Sequence, residues 1–178
     1  MENLTKLQYP IGKYSMPDHI SDQKLNEWIT ILEVMPAQLR DLVSEMPDTQ
    51  LDTPYRPEGW TIRQVVHHLA DSHHHSYTRF KWALTEDTPV IKPYLEKKWT
   101  DLPDLKGMPV EWSLRHLEVV HYKLVRLLKS LSTQQWERSF IHPDGDKKIN
   151  LRQNVGQYAW HSMHHYMHIK NTVIRENW

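Results

Sequence analysis

The sequence predicts an all-α protein: a four-helix bundle with long crossover connections. Three observations carry that expectation. Four segments place apolar residues at helical spacing, stretches rich in proline and glycine separate them, and no convincing run of alternating residues supports a sheet. The chain has 178 residues, 39% of them hydrophobic, enough for one sizeable core, so a single domain over 1–178 is expected.

Residues 1–20 carry Pro10, Gly12 and Pro17, which favour an extended N-terminal arm. Ser21 is placed to cap a helix reaching about Met46, with Leu25, Trp28, Ile29, Leu32, Leu39, Leu42 and Val43 in register. Pro36 lies inside it, so a kink or break is expected there. Residues 47–59 hold three prolines and Gly59 and read as a connection. Thr61 and Gln64 form a capping-box pattern ahead of a helix over 60–86. Residues 87–110, with Pro89, Pro93, Pro103, Gly107 and Pro109, form a long connection that crosses from one end of the bundle to the other and borders a site. A third helix spans 111–131, and Ser132 caps a short turn through Trp136. Asp144-Gly145 marks a turn between two short strands, and a last helix covers 151–176.

Composition removes several function classes. Basic and acidic residues balance at 22 each, so no basic stripe for nucleic acid is evident. The absence of cysteine excludes disulfides, thiolate zinc sites and a cysteine nucleophile. No apolar stretch approaches the roughly 18 residues of a membrane span. The first fourteen residues lack the pattern of a secretory signal. A cytoplasmic protein acting on a small molecule is the expectation.

Nine of the thirteen histidines fall in two windows, His67, His68, His73, His74 and His75, and His161, His164, His165 and His168. At about 100° per residue, Ile62, Val65, Val66, Leu69, Phe80 and Leu84 define the inner face of the second helix. His68 lies roughly 100° from its centre and His67 about 150°. His73 falls near the middle of that apolar face, the place of a satisfied core or interface histidine. On the last helix His165 and His161 lie at about 70° and 110° from the core direction, His168 at about 130°, and His164 nearly opposite. Each helix thus carries histidine along one edge of its apolar face, and two such edges facing each other line a pocket.

His161 and His165 stand at i and i+4, so two imidazoles on one face can share an ion. His68 on the partner helix is the natural third donor. Three neutral imidazoles leave a coordination position open, the pattern of a catalytic metal site. Zinc is the default ion, and imidazole also suits nickel, copper or iron. Such an ion activates water for hydrolysis or ionises a thiol for transfer, so the nucleophile is metal-activated water or thiolate and no protein group is named as catalytic. His164 and His168 form a rival pair on a face turned further from the core. At least two of His73, His74 and His75 are expected on solvated surface, and His116, His121 and His142 stay unassigned. The tryptophans read as core and loop anchors; Arg79 falls near His68 on the polar edge, and Asp71 and Arg79 are read as ordinary exposed residues, with support of the site or contact to substrate as the alternative.

The segments LQYPIGKY (7–14), QLDTPYRPEGWTIRQVVHHLADSHHHSY (50–77) and YAWHSMHH (158–165) resemble the YfiT family of proteins labelled metal-dependent hydrolases. That family sits within the DinB-like four-helix-bundle superfamily, which also includes bacillithiol S-transferases. The resemblance covers essentially the whole chain. It implies one divalent metal, zinc or nickel, held by three histidines, which here match His68, His161 and His165. It further implies a homodimer in a cytoplasmic, Gram-positive setting. The extra histidines at 73–75 lie outside the implied triad. Three readings follow: a hydrolase, a bacillithiol S-transferase, and a non-catalytic bundle that binds a metal or small ligand.

Overall fold

The computed structural model describes residues 4–178; the first three residues of the expected arm lie outside that span. The arm holds one helical turn, α1 (Leu4–Gln8), before an extended run. Four long helices make the bundle: α2 (Asp22–Val43), α4 (Ile62–Thr85), α6 (Val110–Leu128) and α8 (Leu151–Arg175). Shorter elements fill the connections: α3 (Asp48–Leu51), α5 (Glu96–Thr100), a 3₁₀ turn at Pro103–Leu105, and α7 (Thr133–Trp136). Strands β1 (Ser139–His142) and β2 (Lys147–Asn150) pair antiparallel around the expected Asp144-Gly145 turn.

Local chemistry sets the starts of these helices. The Ser21 hydroxyl accepts from the Lys24 N–H at the head of α2. Thr61 and Gln64 close the predicted capping box on α4, and Ser132 and Gln135 do the same on α7. Asn150 and Gln153 form a third box at α8, where strand passes directly into helix. Pro36 does not break α2, which continues to Val43 with the proline ring buried.

α2 and α4 each pack against both α6 and α8. The core forms two apolar clusters, one at each end. One joins Leu25, Ile29 and Leu32 of α2 to Phe80 of α4, Leu124 and Leu128 of α6, and Val155 of α8. The other joins Met35 and Leu39 of α2 to Ile62, Val66 and Leu69 of α4, Leu114 and Leu117 of α6, and Ile169 of α8. α4 and α6 therefore run in the same direction, which obliges 87–110 to travel the length of the bundle, as expected. Between the clusters lies a buried polar waist that includes His68, Ser72, His73, His121, Asn154, Ser162 and His165.

Two residues fix how the rods meet. Gly156 in α8 lets the Trp28 ring of α2 come close, because a Cβ there would stand 2.7 Å from the indole. Gly156→Ala should cost about 1–3 kcal/mol through overpacking, despite the better helix propensity of alanine; urea melts that show Gly156→Ala equal to or above wild type would reject this reading. Arg63 is buried in the first turn of α4 and holds the preceding and following connections through Asp48, Asp52 and the Met108 carbonyl.

Candidate metal centre

α4 supplies His68 and α8 supplies His161 and His165 at the waist. The Nε2 atoms of His68 and His161 face each other at 3.1 Å. The ring centroids of His68 stand 5.2 Å from His161 and 4.9 Å from His165, and those of His161 and His165 are 4.6 Å apart. One donor atom from each of the three lies within 4.8 Å of the others. Two nitrogens bound at about 2.1 Å to one ion stand roughly 3 Å apart, so this donor set fits a divalent metal.

Burial keeps these rings neutral at pH 7. The His68 pKa is pushed down to about 4, first by burial and then by the nearby His164. Those of His161 and His165 fall well below the ordinary value for the same leading reason, reinforced by neighbouring imidazoles. Neutral imidazole is the form that ligates a metal.

A cavity of about 370 Å³ opens beside the triad, lined by Trp60, Arg79, Tyr94, Tyr158 and Trp160 among others. The Trp60 ring tilts over His68 at 4.6 Å between centroids. Tyr94, from the 87–110 connection, places its hydroxyl 3.4 Å from His68 Nδ1. The connection thus borders the site, as its length suggested. A larger groove of about 590 Å³ lies between α2 and α6, but of the waist histidines only His121 reaches it.

Several residues stand where the helical wheel did not put them. Arg79 lies on the edge shared with His68, as the wheel has it, but is buried at the cavity wall and not exposed; its Nη1 donates to the Tyr158 hydroxyl at 3.2 Å, and its Nε has no hydrogen-bond partner among the described residues. His67 is buried against Ser113 of α6 at 2.7 Å. His164, expected opposite the core, is covered by the arm and by its own helix, with Trp160 stacked at 4.5 Å and Tyr9 at 6.1 Å. His168 is buried beneath Tyr55, stacked at 3.9 Å. Of His73–His75 only His74 is exposed, paired with His116 at 2.9 Å; His75 is half-buried against Tyr94, and His73 is fully buried. His121, left unassigned, touches His73.

His164, His165 and His168 form a second set with donor atoms within 4.8 Å. His168 in that set is already engaged, with Nε2 3.2 Å from the Gln8 carbonyl and Nδ1 3.3 Å from His165 Nδ1. The set including His68 is the one that uses both helices and whose three residues all line the cavity.

Asp71, on α4, is half-buried, and burial, aided by Asp104, raises its carboxyl from 3.8 to about 6. The folded state therefore disfavours the carboxylate. That penalty is absent below pH 4, where folded and unfolded chains are both protonated, and complete above pH 6. Asp71→Asn should stabilise the metal-free protein by about 1 kcal/mol at pH 8 and leave it unchanged near pH 4. Equal effects on Tm at the two pH values would rule out this assignment.

Comparison with known proteins places the architecture. Residues 31–169 match the DinB superfamily. The chain is 49% identical over 172 residues to YfiT of Bacillus subtilis (strain 168), covering 97% of both chains. It is 47% identical over 176 residues to a Bacillus cereus (strain AH820) protein carrying the same hydrolase label, covering 98% of this chain and all of the relative. A solved structure described as "YfiT from Bacillus subtilis is a probable metal-dependent hydrolase with an unusual four-helix bundle topology" superposes with a TM-score of 0.94 over 97% of this chain and 99% of that one, at 49% identity. A mycothiol-dependent maleylpyruvate isomerase shares the fold alone, at 16% identity and a TM-score of 0.59 over 79% of this chain and 60% of that one. With a bundle that superposes so closely and a family match over most of its length, the chain belongs to the DinB superfamily and groups with YfiT inside it.

Proposed function

We propose that this chain is a metal-dependent hydrolase that holds one divalent ion on His68, His161 and His165. The observation that carries the reading is the convergence of three neutral imidazoles, from two helices, at the wall of an open cavity. A divalent ion held by that set supplies Lewis acidity, lowering the pKa of coordinated water to about 7 and polarising a substrate oxygen. Zinc is the default choice and nickel suits the same nitrogen donors.

The surrounding side chains do the rest. Arg79 offers a buried guanidinium whose Nε has no partner among the described residues, suited to an anionic or carbonyl oxygen on a small substrate. The Tyr158 hydroxyl holds the other side of that guanidinium in place. Trp60 and Trp160 give the cavity apolar walls that narrow the access of water. YfiT and its Bacillus cereus relative carry the hydrolase label, which supports the same reading here. A homodimer and cytoplasmic residence belong to the proposal; Trp112, Val119 and Tyr122 are exposed along α6 and offer an apolar stripe to a second copy.

Thiol transfer draws on the same donors, so the deciding experiment carries both arms. Zinc-loaded and metal-stripped protein are incubated with a panel of esters and amides, and separately with bacillithiol and a thiol-reactive dye. Cleavage that zinc restores, without dye conjugation above background, supports hydrolysis. Conjugation that zinc restores, without cleavage, replaces it with bacillithiol transfer. Zinc uptake with neither activity leaves the non-catalytic binding bundle.

A further inference from the structure

Pro36 has no N–H, so the Leu32 carbonyl, four residues earlier in α2, lacks its usual helical donor. That carbonyl is instead 2.5 Å from His121 Nδ1 of α6. A carbonyl only accepts, so His121 carries its proton on Nδ1. A neutral imidazole has one ring proton, so His121 Nε2 is bare and accepts from His73 Nδ1 at 2.9 Å. His73 Nε2 is then bare and accepts from His161 Nδ1 at 3.2 Å. The remaining nitrogen of His161, Nε2, is left without a proton, facing His68.

The same logic runs on the other side of the site. The Gln8 carbonyl, from the N-terminal arm, accepts from His168 Nε2 at 3.2 Å. His168 Nδ1 is therefore bare and accepts from His165 Nδ1 at 3.3 Å. That leaves His165 Nε2 unprotonated. In both relays each ring donates from one nitrogen and accepts at the other, so one proton per ring satisfies every contact.

We propose that His73 and His121 on one side, and His168 on the other, are positioning residues that fix the tautomers of His161 and His165, each relay ending on a backbone carbonyl, so that both ligands present a bare Nε2 before an ion arrives. This rests on the metal reading above and extends it to three histidines that touch no metal. It also accounts for His73 in the middle of an apolar face and for a proline in the middle of a helix. Outer partners that orient a metal-binding histidine are typically worth about 10–100-fold in affinity.

The test uses full-length protein labelled with ¹⁵N-histidine, metal-free, at pH 7.5. Long-range ¹H–¹⁵N spectra should show His161 and His165 as Nδ1–H tautomers. His73→Leu should move His161 toward the Nε2–H form and weaken zinc binding about 10–100-fold in a chelator competition. His73→Gln, whose amide can donate to His121 and accept from His161, should recover most of that loss. An Nε2–H tautomer at His161 in the wild type overturns the proposal, as does a folded His73→Leu protein that binds zinc as tightly as wild type. Should His73→Leu fail to fold, the wild-type tautomers decide. Wild-type protein that takes up no zinc overturns the metal reading itself, a result distinct from a wrong tautomer in a protein that does bind.

Discussion

His161→Ala is expected to take the metal content of the purified, untagged protein from about one ion per chain to nearly none. Three donors are the fewest that hold an ion firmly while leaving it open, and removing one leaves two flexible contacts. The loss should also appear in stability. An ion that binds only the folded chain adds about 2.7 kcal/mol at a hundred times its dissociation constant, so added zinc should raise the Tm of wild type and not of His161→Ala. The two histidine sets share His165, so the decisive pair is His68→Ala against His164→Ala. His68→Ala should empty the site and His164→Ala should leave it filled. Equal metal in wild type and His161→Ala would refute the triad of His68, His161 and His165, and the reverse pattern in the decisive pair would move the centre to His164, His165 and His168.

Arg63→Met is expected to cost about 2–3 kcal/mol with no change in metal stoichiometry. The guanidinium is 4% exposed and uses its fork fully: Nε to Asp52 at 2.6 Å, Nη2 to Asp48 at 2.5 Å, and Nη1 to the Met108 carbonyl at 3.0 Å. Its carboxylate partners are exposed, so they stay hydrated when it is lost, and the cost falls short of stranding a buried anion. What disappears is the clasp that pins α3 and the end of the 87–110 connection to α4. Arg63→Lys should recover only part of the stability, because an ammonium cannot reproduce the planar fork. Guanidinium melts placing Arg63→Met within about 0.5 kcal/mol of wild type would show the clasp to be idle.

The bundle could be read from the chain because its helices are amphipathic and begin at side chains that cap them. Thr61 with Gln64 and Ser132 with Gln135 do in space what their spacing promises. The His161–His165 pair was equally accessible, since i and i+4 on a helix is a local relation, whereas the approach of His68 depends on how α4 and α8 pack. Partners from distant elements were not. Arg63 on a helical wheel gives no hint of acids from a neighbouring turn. His164 falls opposite the core on the wheel, and the wheel does not show the cover that Tyr9 of the arm and the stacked Trp160 bring to it. Pro36 reads as a break because sequence shows the missing N–H and not the imidazole that answers the orphaned carbonyl. The wheel put His73 on an apolar face and His68 and His165 along facing edges, and together these were the visible traces of the buried polar waist.

His68 and His161 are separated by 93 positions, and the second of them sits in the last long helix. A nascent chain on the ribosome therefore displays isolated imidazoles long before it owns a chelate. On the metal reading proposed above, ion capture would wait for the docking of α8, and a polypeptide stalled upstream of that helix would lack two of the three donors.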